Sequence, residues 1–451
     1  MNDTISAVST ALGVGAISII RVSGKEAISI VNRIFKGKNL EEVESHTINY
    51  GYIIDKEEIV DEVLVSVMKA PKTFTKEDVV EINCHGGIAT TNKVLELLLR
   101  NGSRMAEPGE YTKRAFLNGR ISLMEAESVM DIINSKTDKS LRMAINGLRG
   151  NTYNLIHNLR EEMLDLIASI EVNIDYPEYK DIEITTIEDI KKSMNSIEEK
   201  LSKIVKESDS GKIIKEGIKT VILGRPNVGK SSILNRLLDE EKAIVTDIEG
   251  TTRDTIEGSI NIDGILLHII DTAGIRETTD IIEQKGVEKS LSLIDDANLI
   301  ILVLNNNESL NEEDLELLEK TKDKKRIIVI NKVDLESKLD QNNPNLQDAI
   351  KISTLSIKQV EPLVERIKKM FNMEQLENSD LNYISNARQI ALLKQALDIV
   401  PTIRDALKKE MPIDMVEIDI KEIYNLLGEV TGESYSEEII DQLFSKFCLG
   451  K

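Results

Sequence analysis

The chain has 451 residues, which predicts about three domains, and its packed cores must be aliphatic because only 3% of the residues are aromatic and tryptophan is absent. A formal net charge of −21 excludes a protein that binds nucleic acid over most of its surface. With two cysteines, Cys84 and Cys448, a disulfide framework is excluded, and such cysteine usage is typical of the reducing cytoplasm.

The first 119 residues predict a small α+β domain. Short runs rich in β-branched residues (AISIIRV, TINYGYII, EVLVSVM and DVVEIN) alternate with turn signals from Ala16 to about Ile82. A helical pattern then covers Thr90 to Arg100, and the domain is expected to end near Gly119.

A helical domain is expected from residue 120. From Ser122 to Ile170, apolar residues recur at three- and four-residue spacing, which predicts one long helix or two in line. The end is expected at Tyr176-Pro177, because a residue before proline avoids the helical region. A second, heavily charged helical stretch covers Thr186 to Glu207. Residues 120–214 are therefore predicted as the first part of this domain.

Residues 215–375 have the alternating pattern of an α/β nucleotide-binding domain. Apolar strands (IKTVILG, LLHIIDT, LIILVLN, RIIVINK and AIKIS) alternate with helical segments, which indicates a parallel sheet with helices on both faces. Beyond about Ser379 the helical pattern returns. We predict a nucleotide domain inserted into a helical domain that residues 120–214 and 376–451 form together.

No targeting or membrane segment is expected. Asp3 precedes the first apolar run, and the first basic residue is Arg21, which is not the pattern of a signal peptide. The longest apolar run, Leu299 to Leu304, is far shorter than the ~20 residues that cross a bilayer. We therefore expect a cytoplasmic protein.

A phosphate-binding loop lies between the strand TVIL and the helix SSILNRLL. Residues 224–231 match the pattern G-x-x-x-x-G-K-[ST], in which glycines let backbone N–H groups surround phosphate oxygens. Lys230 would reach the β- and γ-phosphates as a catalytic cation, and Ser231 would ligate Mg²⁺. The nucleotide-binding residues predicted here are Asn227, Val228, Gly229, Lys230, Ser231 and Ser232.

Two further motifs follow strand ends and identify the nucleotide. The first is D-T-A-G, where an aspartate supports the Mg²⁺ shell and a glycine N–H contacts the γ-phosphate. The second is N-K-V-D, whose Asp334 accepts both N–H groups of the guanine edge, whereas adenine presents a mismatched pattern. GTP rather than ATP is predicted, bound by Asp271, Thr272, Ala273, Gly274, Asn331, Lys332, Asp334 and Ser353.

A switch loop is expected between the first two strands of this domain, where Thr252 would close on Mg²⁺ and the γ-phosphate; the alternative is an ordinary polar turn. Many GTPases place a water-orienting glutamine after D-x-x-G, but this chain has the apolar Ile275. Hydrolysis must therefore recruit another polar group, and Arg276, Glu277 and Glu283 are the near candidates. Switch-loop residues expected at the nucleotide are Thr246, Asp247, Ile248, Glu249, Gly250 and Thr251.

Together with both flanks, these motifs resemble the MnmE/TrmE family of tRNA modification GTPases over essentially the whole chain. The resemblance lies in GVGAISIIRVSG (13–24), FTKEDVVEINCHGG (74–87), EPGEYTKRAFLNGRISLMEAE (107–127) and LGEVTGESYSEEIIDQLFSKFCLGK (427–451). It implies a folate-binding domain that dimerises, a helical domain and an inserted Ras-like domain. It also implies a flavin-dependent partner subunit, tRNA modified at the 5-position of the wobble uridine, a 5-formyltetrahydrofolate-type donor, Mg²⁺ and K⁺.

Roles for individual residues follow from the same resemblance. K⁺ would be held by Asn227, Thr246, Ile248 and Thr251, and Mg²⁺ by Ser231 and Thr252. Glu283 matches the catalytic glutamate of the family, with a solvated helix charge as the alternative. The folate positions are Arg21, Glu81, Arg120 and Lys451, each of which could instead be an ordinary solvated charge.

Both cysteines allow more than one interpretation. Cys448 lies four residues from the C-terminus and could be a nucleophile near the folate or a buried small hydrophobe. Cys84 and His85 offer two potential ligands, too few for a metal site, so a tight turn at Gly86-Gly87 is favoured.

Two rival functions remain. A ribosome-assembly GTPase would use a basic module with a GxxG loop, but Gly147 to Gly150 lies within a helical pattern. A folate enzyme with a purely regulatory GTPase domain is the other. For tRNA, the most basic run is Arg100, Arg104, Lys113, Arg114 and Arg120; scattered surface charges are favoured over an RNA site, and the partner subunit is expected to supply most RNA contacts.

Overall fold

The structure, a computed structural model, describes residues 3–175, 186–239, 256–270, 294–340, 343–355, 360–371, 373, 381–434 and 437–450. The chain divides into two compact units, the first made of residues 1–130, 147–194 and 395–451 and the second of residues 131–146 and 195–394. The three-domain boundaries drawn from the sequence stay a prediction.

The strands are β1 (Ile5–Val8), β2 (Ile17–Ser23), β3 (Phe35–Lys36), β4 (Thr47–Asp55), β5 (Glu58–Met68), β6 (Val79–His85), β7 (Arg104–Met105), β8 (Ile218–Leu223), β9 (Ile256–Ile262), β10 (Ile265–Ile270), β11 (Leu299–Asn305), β12 (Arg326–Asn331) and β13 (Ile350–Lys351). The α-helices are α1 (Ala27–Ile34), α2 (Ile88–Arg100), α3 (Glu110–Leu117), α4 (Leu123–Asn134), α5 (Asp138–Leu148), α6 (Asn151–Asp175), α7 (Ile187–Glu216), α8 (Lys230–Asp239), α9 (Glu312–Lys320), α10 (Glu361–Met370), α11 (Ala387–Lys408), α12 (Ile413–Thr431) and α13 (Glu437–Phe444). None of the helices in the described ranges is both long and apolar enough to cross a membrane.

In the first unit, a mixed sheet with the order β3-β4-β5-β6-β2-β1-β7 is covered on one face by α1 and α2. Its neighbouring strands are antiparallel except β1 and β7. Inward residues such as Ile20, Val65 and Ile82 alternate with outward ones and form an aliphatic core. The predicted α+β class is therefore confirmed for this part of the chain.

The helical stretch after residue 122 is broken more often than predicted. It contains α4, α5 and α6, not one helix or two in line. Before α5, the Thr137 hydroxyl accepts a hydrogen bond from the backbone N–H of Ser140, which starts a new helix. After α5, Gly150 adopts a left-handed φ of 79°, which ends the helix.

The second unit contains a sheet with the order β13-β12-β11-β8-β10-β9. Every neighbouring pair is parallel except β9 and β10. Alternate residues of β8 enter two different apolar cores, Ile222 on one face and Val221 on the other. The predicted parallel sheet with both faces covered is confirmed, with an antiparallel edge strand added. Because parallel strands end at one edge, the residues that follow β8, β11, β12 and β13 come together there.

Candidate functional site

A tight loop joins the end of β8 to the start of α8, and its glycines are sterically required. Gly224 and Gly229 have φ values of 144° and 100°. A Cβ on Gly229 would lie 2.1 Å from Nδ2 of Asn331, and one on Gly224 would lie 2.3 Å from the carbonyl oxygen of Val303. A larger residue at Gly224 would clash with the backbone of β11, one at Gly229 would displace the Asn331 side chain, and both φ values are strained for any residue but glycine.

Lys230 lies inside the curve of this loop. Its Nζ donates hydrogen bonds to the carbonyl oxygens of Gly224 (2.6 Å) and Arg225 (2.8 Å). Burial lowers the pKa of the Lys230 ammonium. The neighbouring N-terminus of α8 adds the positive end of a helix dipole, and Ser231 lies in its first turn. The loop therefore combines an ammonium group with the N-terminus of a helix, which fits phosphate.

Arg225 anchors the opposite side of the loop, a role that the sequence analysis missed. Its guanidinium donates to the carboxylate of Asp314 at 2.9 Å and pairs with Glu308 at 3.0 Å. Asp314 is only 1% exposed and forms a capping box with Asn311 at the start of α9. The two residues of the main pair are 89 positions apart, so no local pattern could reveal the contact.

The predicted base-recognition residues lie beside the phosphate loop. Asn331 is fully buried, and its Nδ2 donates to the carbonyl oxygen of Val228 at 2.9 Å. Lys332, with a φ of 63°, donates from Nζ to the carbonyl oxygen of Asn227 at 2.7 Å. These two bonds join the N-K-V-D motif to the phosphate loop, so the predicted base and phosphate sites are held next to each other.

Asp334 is positioned by Ser353. The Ser353 hydroxyl donates to Oδ1 of Asp334 at 2.6 Å, which fixes the carboxylate plane. Arg236 of α8 donates to the carbonyl oxygen of Thr354 at 3.0 Å and so ties the base loop to the helix after the phosphate loop. An oriented carboxylate at an exposed position fits the two N–H groups of guanine.

Oxygen ligands for cations are partly described. Ser231 offers a hydroxyl in the first turn of α8 that could hold Mg²⁺, and the exposed Asn227 offers an amide oxygen that could hold K⁺. The described Ser232 is exposed on the same turn. The remaining predicted residues lie outside the described ranges: Thr246, Asp247, Ile248, Glu249, Gly250, Thr251, Thr252, Asp271, Thr272, Ala273, Gly274, Glu283 and Lys451.

The predicted folate residues Arg21 and Glu81 are cross-strand neighbours on β2 and β6. Nε of Arg21 donates to Glu81 at 2.9 Å, and Nη1 of Arg21 donates to the carbonyl oxygen of Gly450 at 3.0 Å. Tyr111 lies against the same guanidinium, with its ring centre 5.6 Å away. Gly450, the last described residue, therefore lies beside these two strand residues. Its contact with Arg21 joins positions that are 429 residues apart.

Arg120, the third described folate residue, lies over the ring of Phe74. Its guanidinium is 4.8 Å from the centre of Phe74, and Phe74 and Tyr111 both pack into a cluster with Ile5 and Ala7. Three of the four predicted folate residues are thus linked through contacts to one apolar cluster of the first unit.

Most of the basic run that was considered for RNA is neutralised. Arg114 is 1% exposed and pairs with Asp3, Glu77 and Glu110, while Arg104 shares Asp3 and Glu110. Arg100 pairs with Glu96, and Lys113 pairs with Asp441. Of the five residues, only Arg120 has no ion pair within the described ranges. The interpretation as structural and surface charges therefore fits four of them.

The remaining motifs have local explanations. An added Cβ on Gly147 would lie 2.3 Å from the Ser128 hydroxyl, so the GxxG segment is packed and is not an open RNA-binding loop. Cys84 is buried, with Sγ donating to the carbonyl oxygen of Ser18 at 3.3 Å, and burial raises the pKa of its thiol. His85 pairs with Asp61 at 2.6 Å. Cys448 is exposed, which argues against the interpretation as a buried hydrophobe.

Comparisons with known proteins agree with this geometry. The family model described as "GTP-binding protein TrmE N-terminus" matches residues 4–120, and that described as "MnmE helical domain" matches residues 123–448. A tRNA modification GTPase MnmE from Streptococcus thermophilus is 52% identical over 450 residues, covering 100% of this chain and 98% of that protein. The proteins of the same name from Streptococcus mutans (51%, covering 100% and 99%) and Lactococcus lactis subsp. cremoris (52%, covering 100% and 98%) are equally similar.

Proposed function

Because the chain belongs to the MnmE family of tRNA modification GTPases, we propose that it hydrolyses GTP in a potassium-dependent reaction and, with a flavin-dependent partner subunit, modifies the 5-position of wobble uridine in certain tRNAs. The chain is a GTPase that acts in tRNA modification. The observation that carries the proposal is the joined phosphate and base site, in which Asn331 and Lys332 bind the backbone of the phosphate loop.

In the proposed hydrolysis, this chain contributes preorganised charge. Lys230 would exchange its two loop carbonyls for phosphate oxygens, so that its ammonium group meets the charge that develops as the γ-phosphoryl leaves. Arg225 keeps the loop in place through Asp314. Asn227, Thr246, Ile248 and Thr251 would hold K⁺, whose charge would offset further negative charge. Mg²⁺ would be held by Ser231 and Thr252.

Water activation is assigned to Glu283. The position after D-T-A-G is the apolar Ile275, so the attacking water needs another polar partner. A carboxylate can orient a water molecule by accepting its hydrogen bond, and Glu283 matches the family position.

For the one-carbon donor, we propose a folate site formed by Arg21, Glu81, Arg120 and Lys451. A carboxylate such as that of Glu81 accepts two N–H groups from a pterin ring in the same way that Asp334 accepts them from guanine. The Arg21 guanidinium orients Glu81 at 2.9 Å. Gly450, the neighbour of Lys451 in sequence, is held at the same place by Arg21.

We also propose a homodimer formed through the outward face of the first sheet. Four large apolar side chains on this face are about half exposed or more: Ile17 (63%), Ile48 (69%), Tyr50 (57%) and Leu64 (47%). All four belong to strands of the sheet and not to loops. Such an apolar sheet face is usually covered by a partner. Ile48 lies in one cross-strand row with Ser66, Glu81 and Arg21, so a second copy on this face would also border the folate residues.

The proposal is tested in cells that lack the protein. We expect the 5-position modification of wobble uridine to disappear from the affected tRNAs, as measured by mass spectrometry of tRNA nucleosides. Expression of the wild-type chain should restore it, whereas expression of the Lys230→Ala variant at the same level should not. A wobble uridine that keeps its modification in the deletion strain would rule the assignment out and favour a regulatory GTPase.

A further inference from the structure

Arg120, one of the proposed folate residues, lines a shallow depression of about 440 Å³ whose other lining residues are Met68, Pro71, Lys72, Thr73, Phe74 and Lys76. Three of its side chains are basic, Lys72, Lys76 and Arg120, and none of its lining residues is acidic. We call the depression with these three cations the basic depression. In a chain with a net charge of −21, a carboxylate-free group of three cations is a local exception that attracts anions.

Two chain segments hold the basic depression in a fixed shape. Nζ of Lys76 donates to the carbonyl oxygen of Gly119 at 3.0 Å, and Nδ2 of Asn118 donates to the carbonyl oxygen of Thr75 at 2.6 Å. The Arg120 guanidinium lies 4.8 Å above the Phe74 ring. Packing between distant segments therefore brings Arg120 to the two lysines, which lie four residues apart in one loop.

The basic depression adjoins the folate residues through shared aromatic packing. Phe74, under Arg120, and Tyr111, beside Arg21, belong to the same apolar cluster. A folate has a pterin end rich in N–H donors and a glutamate end rich in carboxylates. With the pterin on Glu81, the glutamate end matches the chemistry of Lys72, Lys76 and Arg120.

We propose that the basic depression binds the γ-linked glutamate tail of the one-carbon donor and makes the site selective for polyglutamylated folates. The inference rests on the proposed folate function and adds which form of the folate donor the site prefers. A monoglutamate tail carries two carboxylates and each additional glutamate adds one more, so a longer tail can use Lys72 and Lys76 as well as Arg120.

The size and surroundings favour this ligand over an RNA backbone. RNA phosphates need a continuous basic stripe, but the nearby Arg104, Lys113 and Arg114 are already paired with carboxylates. The depression has the size of a small-molecule site, and its lining combines three cations with the apolar Met68, Pro71 and Phe74.

The test is calorimetric titration of the full-length protein with 5-formyltetrahydrofolate in its monoglutamate and pentaglutamate forms. An exposed ion pair changes an affinity by a factor of about 1.5 to 5. We therefore expect the wild-type protein to bind the pentaglutamate roughly three- to tenfold more tightly, with the difference shrinking at high salt. The double variant Lys72→Gln, Lys76→Gln should bind both forms with similar affinity and keep the wild-type monoglutamate affinity within about twofold.

The double variant Lys36→Gln, Lys38→Gln is the matched control, because it removes two exposed lysines of the same unit outside the depression and should keep the preference. Equal wild-type affinity for both forms would overturn this inference while leaving the folate site intact. Failure of the wild-type protein to bind either form would overturn the folate function itself, and the inference with it. Loss of tRNA binding in Lys72→Gln, Lys76→Gln without any glutamate preference would assign the depression to RNA and overturn the inference as well.

Discussion

Replacing Lys230 by alanine is expected to lower kcat for GTP hydrolysis by about 10²- to 10³-fold, the usual cost of removing one preorganised charge-stabilising donor. In the structure the ammonium group lies inside the loop, bonded to the carbonyl oxygens of Gly224 and Arg225. Burial lowers its pKa, so the group is poorly solvated and gains more from a phosphate partner than a surface lysine would. Steady-state phosphate release at saturating GTP measures the effect.

Two checks separate this effect from a disturbed fold. Lys322→Ala removes an exposed lysine of the same unit and should leave kcat unchanged. Thermal unfolding of Lys230→Ala should be close to that of the wild type, because the freed carbonyls can bind water. A variant that folds normally and retains more than about a tenth of the wild-type kcat would show that Lys230 is not the principal charge partner of the transferred phosphoryl group.

Replacing Asp334 by asparagine is expected to weaken GTP binding by about 10²- to 10⁴-fold. In the proposed site the carboxylate would accept two N–H groups of guanine, and each hydrogen bond to a charged group contributes about 1.5–3 kcal/mol. An amide in its place turns one N–H donor toward the 2-amino group of guanine, which is a donor itself. Xanthine has an oxygen at that position, so affinity for xanthosine triphosphate should rise as affinity for GTP falls. Competition with a fluorescent nucleotide measures both.

Ser353→Ala provides a graded comparison. It removes the 2.6 Å bond that orients the carboxylate but keeps the charge, so GTP affinity should fall only about two- to tenfold. Asp323→Asn, at an exposed turn of the same unit, should change nothing. If Asp334→Asn kept its preference for GTP over xanthosine triphosphate, Asp334 would not be the residue that reads the base.

Local sequence patterns predicted the elements that are long and regular. The strands β2, β4, β5 and β6 were recognisable because β-branched residues alternate with turn signals, and β8, β10, β11 and β12 because both faces of that sheet are buried. The strands β1, β3 and β7 are four residues or shorter, too short to show a period of two. The strand β9 was missed because it lies at the edge of its sheet and pairs with only one neighbour, so its sequence does not need a continuous apolar run.

The phosphate and base motifs were also local, since each follows one strand end. What the sequence could not show were contacts between distant positions, such as Arg225 with Asp314 or Arg21 with Gly450. The same limit applies to charge. Arg104 and Arg114 look like part of a basic run, but folding brings Asp3 and Glu110 against them. Only the fold separates these paired cations from Lys72, Lys76 and Arg120.

The potassium-dependent GTPase is tested most directly by steady-state GTP hydrolysis in KCl and in NaCl at equal ionic strength, over a range of protein concentrations and with ATP as the control. We expect hydrolysis that rises steeply in KCl, increases per molecule with protein concentration, ignores ATP and loses its potassium dependence in Asn227→Ala. Equal rates in the two salts would contradict the assignment of K⁺ to Asn227, Thr246, Ile248 and Thr251, and would leave a GTPase that depends on some other activator.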